Sequence, residues 1–76
     1  MQVTVTVMLK NGVLDPQGEA IKSALGSLGF SGINGVRQGK IIVLDVDNGF
    51  DVPQVNEMCS QLLVNSVIES YTLGIE

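Results

Sequence analysis

Histidine is missing from the 76-residue chain, and cysteine occurs once, as Cys59. Without His, the chain lacks the side chain that most often does acid–base work near neutral pH and activates Cys or Ser nucleophiles. One Cys rules out an internal disulfide, and with neither His nor a Cys pair a structural zinc site is implausible. Tryptophan is absent too, leaving two Phe and one Tyr. Four basic residues stand against eight acidic ones, a net charge of −4. So few cations and rings argue against nucleic-acid binding, which needs a phosphate-neutralising surface and bases stacked on aromatics. No apolar run approaches the roughly 20 residues of a membrane span. The N-terminus has neither the basic start nor the apolar stretch of a signal peptide. The expectation is a cytoplasmic protein with no nucleic-acid or membrane partner.

What the chain does contain is enough apolar residues to fold. They make up 45% of the sequence, and no segment is of low complexity, which fits an ordered domain. The length allows one domain, residues 1–76. A chain of this size buries only about 60% of its unfolded surface, so its own core is marginal. Small domains make up the deficit with disulfides, a metal or a partner. Only the last is open here, so oligomerisation or docking is expected.

The hydrophobic pattern divides the chain into short elements. Val3, Val5, Val7 and Leu9 alternate with Thr4, Thr6 and Met8, which predicts a strand over residues 2–10. Asp15 is placed to cap a helix with Pro16 at its first position. Ala20, Ile21, Ala24, Leu25 and Leu28 then recur at helical spacing. Gly29 is suited to the residue just past the helix end, with Phe30 packing back on the last turn. Gly18 and Gly26 either weaken the helix or permit close packing. A hairpin is predicted next, Ile33–Gln38 and Lys40–Asp47, with Gly39 at its turn. A second helix starts at Asp51 with Gln54 three residues on. Val55, Met58, Cys59, Leu62 and Leu63 form its apolar side, and Asn65 ends it. A last strand covers about Val67–Ile75.

The order βαββαβ predicts an α+β, ferredoxin-like two-layer sandwich: an antiparallel sheet with two helices on one face. The other face is left open. It carries Thr4, Thr6 and Met8, joined by either Ile41 with Val43 or Ile42 with Leu44. Ile41 and Val43 are the favoured pair. A mixed apolar surface of this kind invites self-association, although scattered exposed apolar residues are also ordinary.

Few residues suggest chemistry. Cys59 lies between Met58 and Leu62 on an apolar side with no base near it in sequence, which fits a core residue. Asp45, Asp47 and Asp51 are close together but lack the density, central Gly and closing Glu of a calcium loop; a solvated strand end and a helix cap explain them. Arg37 and Lys40 flank Gly39 and hold half of the positive charge. They either contact a phosphate or an acidic partner or merely solubilise a turn. No glycine cluster is followed by the Lys-Ser/Thr of a phosphate loop.

Several segments, taken in order, do resemble a known family. They are Val13-Leu14-Asp15-Pro16-Gln17-Gly18 with Ala20-Ile21, then Ala24-Leu25 and Leu28-Gly29-Phe30, then Val36-Arg37-Gln38-Gly39-Lys40. The Cys59 region and Leu62–Tyr71 follow, with Ser66 where the family often has Pro. Together they resemble the PurS subunit of phosphoribosylformylglycinamidine synthase over nearly the whole chain. The resemblance implies a small non-catalytic subunit of an ATP- and glutamine-dependent ligase of de novo purine synthesis. It implies a homodimer or higher homo-oligomer that joins a glutaminase subunit (PurQ) to a large synthetase subunit (PurL) and helps ammonia pass between them. It also implies that this chain binds no cofactor, with ATP and Mg²⁺ held by the synthetase. Asp15, Pro16, Gln17, Gly18, Arg37, Gly39 and Lys40 become candidate partner contacts, and Thr4, Thr6, Met8, Ile41 and Val43 candidate oligomer contacts. The competing reading is a free-standing small-molecule-binding regulatory module of the same fold, since fold does not fix function. Ligand affinity in the absence of partners separates the two.

Overall fold

A computed structural model describes all 76 residues. β1 (Gln2–Leu9) is the centre of a three-stranded antiparallel sheet, with β2 (Gly39–Asp45) on one side and β3 (Glu69–Ile75) on the other. Val5 lies opposite Ile42 in β2 and Leu73 in β3, and Val7 opposite Tyr71. The alternation in β1 therefore turns Val3, Val5 and Val7 to one face, where all three are buried. Burying each such side chain contributes about 1.5–3 kcal/mol.

Helix α2 (Pro53–Met58), continued by a π-helical turn (Cys59–Leu63), covers that face. Val55, Cys59 and Val64 complete the buried core. Tyr71 donates its hydroxyl hydrogen bond to Asn56 Oδ1 at 2.6 Å and so ties β3 to α2. The expected Asp51 side-chain cap is not formed: Val52 precedes the helix in helical conformation, with no side-chain cap hydrogen bond. The wide turn also changes which residues face inward. The Val64 N–H bonds the Cys59 carbonyl, five residues back, at 2.9 Å. That geometry brings residues five apart onto one face, so Val64 takes the core position that a regular helix would give to Leu62. Leu62 is left 84% exposed.

α1 (Pro16–Ser27) starts where the sequence predicts. The Asp15 carboxylate accepts the Gly18 N–H, and Pro16 occupies the first turn. It also stops where predicted. Gly29 has φ +97°, and the Gly29 and Phe30 N–H groups bond back to the Gly26 and Leu25 carbonyls. Its position differs from the expected one. No residue of α1 belongs to the buried core or packs against it, and Gly18 is the only residue of the helix that is buried. Ile21 is 40% and Leu28 73% exposed, and Phe30 is exposed rather than packed on the last turn.

The α+β class and the antiparallel sheet agree with the sequence pattern, and the hairpin does not. Residues 33–38 form no strand, and Gly39 makes no hairpin turn; Gly39 instead belongs to β2, paired with Met8. The element order is therefore βαβαβ. Residues 13–38 form an arm that leaves the end of the sheet. The molecule measures 50 × 25 × 15 Å with a radius of gyration of 15.9 Å; a compact chain of this length would have about 11 Å. No helix is long and apolar enough to cross a membrane.

Candidate functional site

The arm meets the sheet at a joint built almost wholly from the two motifs around Asp15 and Gly39. The Asp15 carboxylate is used twice. Its Oδ1 accepts the Gly18 N–H at 2.9 Å, capping α1, and its Oδ2 accepts the Gln38 N–H at 2.8 Å. One side chain thus fixes both the start of α1 and the chain entering β2. The Gln38 amide donates to Gln17 Oε1 across the same gap. Gly18 is the only buried residue of α1. A Cβ there would collide with the Val36 carbonyl oxygen and lie 2.7 Å from Asp15 Oδ2, so glycine is what lets the two segments meet. Gly26, by contrast, has open space around it.

Gly39 has a similar cause. A Cβ on it would collide with the Val7 carbonyl and the Met8 thioether. The two cations also serve the joint. Arg37 donates from its guanidinium to the Leu9 carbonyl, and Lys40 Nζ lies 4.0 Å from Glu69 Oε2. They do not sit at a hairpin tip, as the sequence suggested, because no hairpin forms. Arg37 lies in the segment before β2 and Lys40 is its second residue.

Asp15, Pro16, Gln17, Gly39 and Lys40 line one open groove of about 280 Å³, with Gln38 and Glu69 beside them. Gly18 lies beneath, and Arg37 faces a second depression on the other side of the joint. Five of the seven residues expected at a partner surface therefore line one groove, while Gly18 is buried and Arg37 lies outside that groove. Gln38 and Glu69 were missed as site residues. Gln38 stood inside the Val36–Lys40 motif and could have been found there. Glu69 gave no sequence signal, since only the β1–β3 pairing brings it opposite Leu9. At Ser66, the departure from the family's usual Pro, the backbone carbonyl accepts the Lys10 ammonium at 2.8 Å. Proline would present the same carbonyl.

The five candidate oligomer residues also share a surface. Thr4 pairs with Val43 and Thr6 with Ile41, which places Ile41 and Val43, rather than Ile42 and Leu44, on the face opposite α2. Ile41 is 66% and Val43 56% exposed. Gly74 and Thr72 continue this face on β3, so its middle carries no charge.

The groove is lined by no cysteine, serine or threonine. Cys59 is fully buried in the core, and burial pushes its thiol pKa up; a neutral thiol is a poor nucleophile. No group of three His, Cys, Asp or Glu side chains is placed to hold a metal ion. The site is equipped to hold a shape and present polar groups.

The Gln38 N–H first, and the Gly18 N–H second, hold the Asp15 carboxyl below its ordinary value of 3.8. A depressed folded-state pKa contributes stability above the unfolded value and loses it as pH falls through the lowered one. The amide resonances of Gly18 and Gln38 are therefore expected to stay fixed from neutral pH to below pH 3.8 and then to move together. Separate midpoints, or a midpoint at the ordinary carboxylate value, would contradict the shared contact.

Known proteins share this architecture and sequence. Residues 2–76 match the family model described as PurS, phosphoribosylformylglycinamidine (FGAM) synthase. The phosphoribosylformylglycinamidine synthase subunit PurS of Mycobacterium leprae is 46% identical over 75 residues, 99% of this chain and 95% of that protein. The structure of Bacillus subtilis PurS superposes with a TM-score of 0.89 at 42% identity, covering 99% of this chain and 96% of that one. A chain in the structure of PurLQS from Thermotoga maritima matches with a TM-score of 0.81 at 30% identity, covering 96% and 93%. The chain belongs to the PurS family, the small subunit of phosphoribosylformylglycinamidine synthase in purine biosynthesis.

Proposed function

We propose that this chain is the assembly subunit of a three-part synthase, joining the glutaminase subunit (PurQ) to the synthetase subunit (PurL) and assisting the transfer of ammonia. The observation that carries this reading is the joint itself. Two motif segments distant in sequence are clamped by Asp15 into one polar, open surface. Such a surface suits docking, where placed hydrogen-bond groups and charges set orientation and partner choice. The similarity to a chain of PurLQS supplies the partners. In this division of labour ATP and Mg²⁺ sit in the synthetase, the glutaminase releases ammonia from glutamine, and the complex works in the cytoplasm. The chain acts as a homodimer or higher homo-oligomer, and the uncharged outer face of Thr4, Thr6, Met8, Ile41 and Val43 is available for self-association.

Assembly is the direct test. The purified chain is expected to co-elute with both partner subunits when ATP, Mg²⁺ and glutamine are present. The double variant Arg37→Ala, Lys40→Ala is expected to weaken that association by about tenfold or more. It should leave the sheet in place, because both side chains are exposed, the 4.0 Å pair with Glu69 contributes little, and the Arg37 bond to the Leu9 carbonyl is a single exposed contact outside the buried core. Undiminished co-elution of the double variant removes these two residues from the docking surface. Failure of the unaltered chain to co-elute removes the assembly role.

A further inference from the structure

On one side the sheet ends in β3, and the outer edge of that strand is unused. The register with β1 sets which of its backbone groups are free. Gln2 and Glu76 exchange both backbone hydrogen bonds, at 3.3 and 2.9 Å, and the Lys10 N–H bonds the Ile68 carbonyl at 2.8 Å. In an antiparallel pair such exchanges recur at every second residue. Ser70, Thr72 and Gly74 therefore turn their N–H and C=O groups to Met8, Thr6 and Thr4 of β1. Tyr71, Leu73 and Ile75 turn theirs the other way, out of the sheet. No other segment of the chain bonds these three N–H and three C=O groups.

Natural sheets blunt an open edge with Lys, Pro or a bulge, or they cover it. None of these protects β3. Ser70-Tyr71-Thr72-Leu73-Gly74-Ile75 contains no charge and no proline, and its pairing with β1 runs without a bulge from Glu69 to Ile75. Its inner side is unfinished as well. Tyr71 and Leu73 are only half-buried and Ile75 is 56% exposed, so apolar surface lies beside the free backbone groups. An unpaired edge with an apolar flank is a template for an added strand. Glu69, the first residue of β3, also lines the groove assigned to partner docking, so the edge starts at that groove. A second copy is the poorer occupant. A strand of six residues is about 20 Å long, and stable interfaces bury about 1,200–2,000 Å² in all, more than one edge supplies to two folded copies. A segment of a partner already held at the groove needs no such area, because its second contact forms within an existing complex.

We propose that an extended segment of a partner subunit, docked at the groove, continues along β3 and adds a strand to that edge of the sheet. Its backbone pairs with Tyr71, Leu73 and Ile75. Its side chains alternate, with apolar ones covering Leu73 and Ile75 on the side of α2. Because Ser70–Ile75 offers no charge, the segment that fits it is uncharged along this stretch. The proposal rests on the reading of this chain as an assembly subunit and names how part of the contact is made.

The test is amide hydrogen exchange of the isotope-labelled full chain, alone and in complex with unlabelled synthetase and glutaminase subunits plus ATP, Mg²⁺ and glutamine. Exchange is quenched, the complex is dissociated in acidified dimethyl sulfoxide, and each amide is read by NMR. In the free chain Ser70, Thr72 and Gly74 are expected to be protected, while Tyr71, Leu73 and Ile75 exchange freely. In the complex these last three are expected to slow by about a hundredfold or more. Slowing at alternate residues of one strand is the signature of a strand added to its edge. Unchanged exchange at Tyr71, Leu73 and Ile75 in a complex that co-elutes overturns the added strand and leaves the assembly role standing. Protection of the three amides already in the free chain gives the edge to a second copy and also overturns it. Failure of the three subunits to co-elute removes the assembly role, and the partner strand with it.

Discussion

Val5→Asp is expected to leave the chain without a cooperative melt at 25 °C. Val5 is fully buried at the middle of the central strand, with Ile42 and Leu73 as its cross-strand neighbours. Nothing near it could pair with a carboxylate. The buried core is six side chains, four from the strand and helix that hold Val5 and Val55 and two from the turns around them. An uncompensated buried charge costs several kcal/mol, and a protonated carboxyl without partners still costs about 1–3 kcal/mol on top of the lost methyl groups. A domain of this size has little more than that to lose. Thr6→Asp is the control: the neighbouring residue faces the open side of the sheet and should keep the fold. The readouts are far-ultraviolet circular dichroism and amide dispersion. A sharp thermal transition in Val5→Asp would place the stabilising core somewhere other than under β1.

Gly18→Val is expected to have the second largest effect, and a different one. Its side chain would occupy the space of the Val36 carbonyl and the Asp15 carboxylate. A backbone oxygen cannot swing aside as a flexible side chain can, so the arm must move. Overpacking of this kind costs about 1–3 kcal/mol, and losing the Asp15 cap adds roughly 1 kcal/mol. The sheet core does not touch Gly18, so its amide pattern should persist. What should fail is assembly: a shift in the joint misplaces both motif segments, and 1.4 kcal/mol already corresponds to a tenfold loss of affinity. Gly26→Ala, in open space on the same helix, is expected to preserve assembly and stabilise the helix by up to about 1 kcal/mol. Equal assembly by Gly18→Val and wild type would mean that the joint is not part of the docking surface.

Local order was legible wherever it has a local cause. The period-two run of β1, the Asp15–Pro16 start of α1 and its Gly29 stop all follow from neighbours in sequence. The inward set of β2 required the register. Only the pairing Val5 with Ile42 decides between Ile41–Val43 and Ile42–Leu44 as the outer pair. The π turn was not legible either. The Val64 N–H reaches the Cys59 carbonyl five residues back, Leu62 is left exposed, and nothing in the residue types announces it. The joint was half legible. The motif residues were identifiable as a set, but their reason was not, because Asp15 bonds Gln38 across 23 positions. The largest difference is the hairpin around Gly39. A turn sequence states a local preference, and the pairing of Gly39 with Met8 overrides it.

The central claim, that this chain contributes assembly and ammonia handling while other chains do the chemistry, is tested most directly by one rate comparison. Synthetase and glutaminase subunits are assayed for ATP-dependent amidine formation with glutamine, and separately with free ammonia, each with and without this chain. The account predicts that omitting the chain abolishes the glutamine-dependent rate and leaves most of the ammonia-dependent rate. Equal glutamine-dependent rates with and without it would contradict the account.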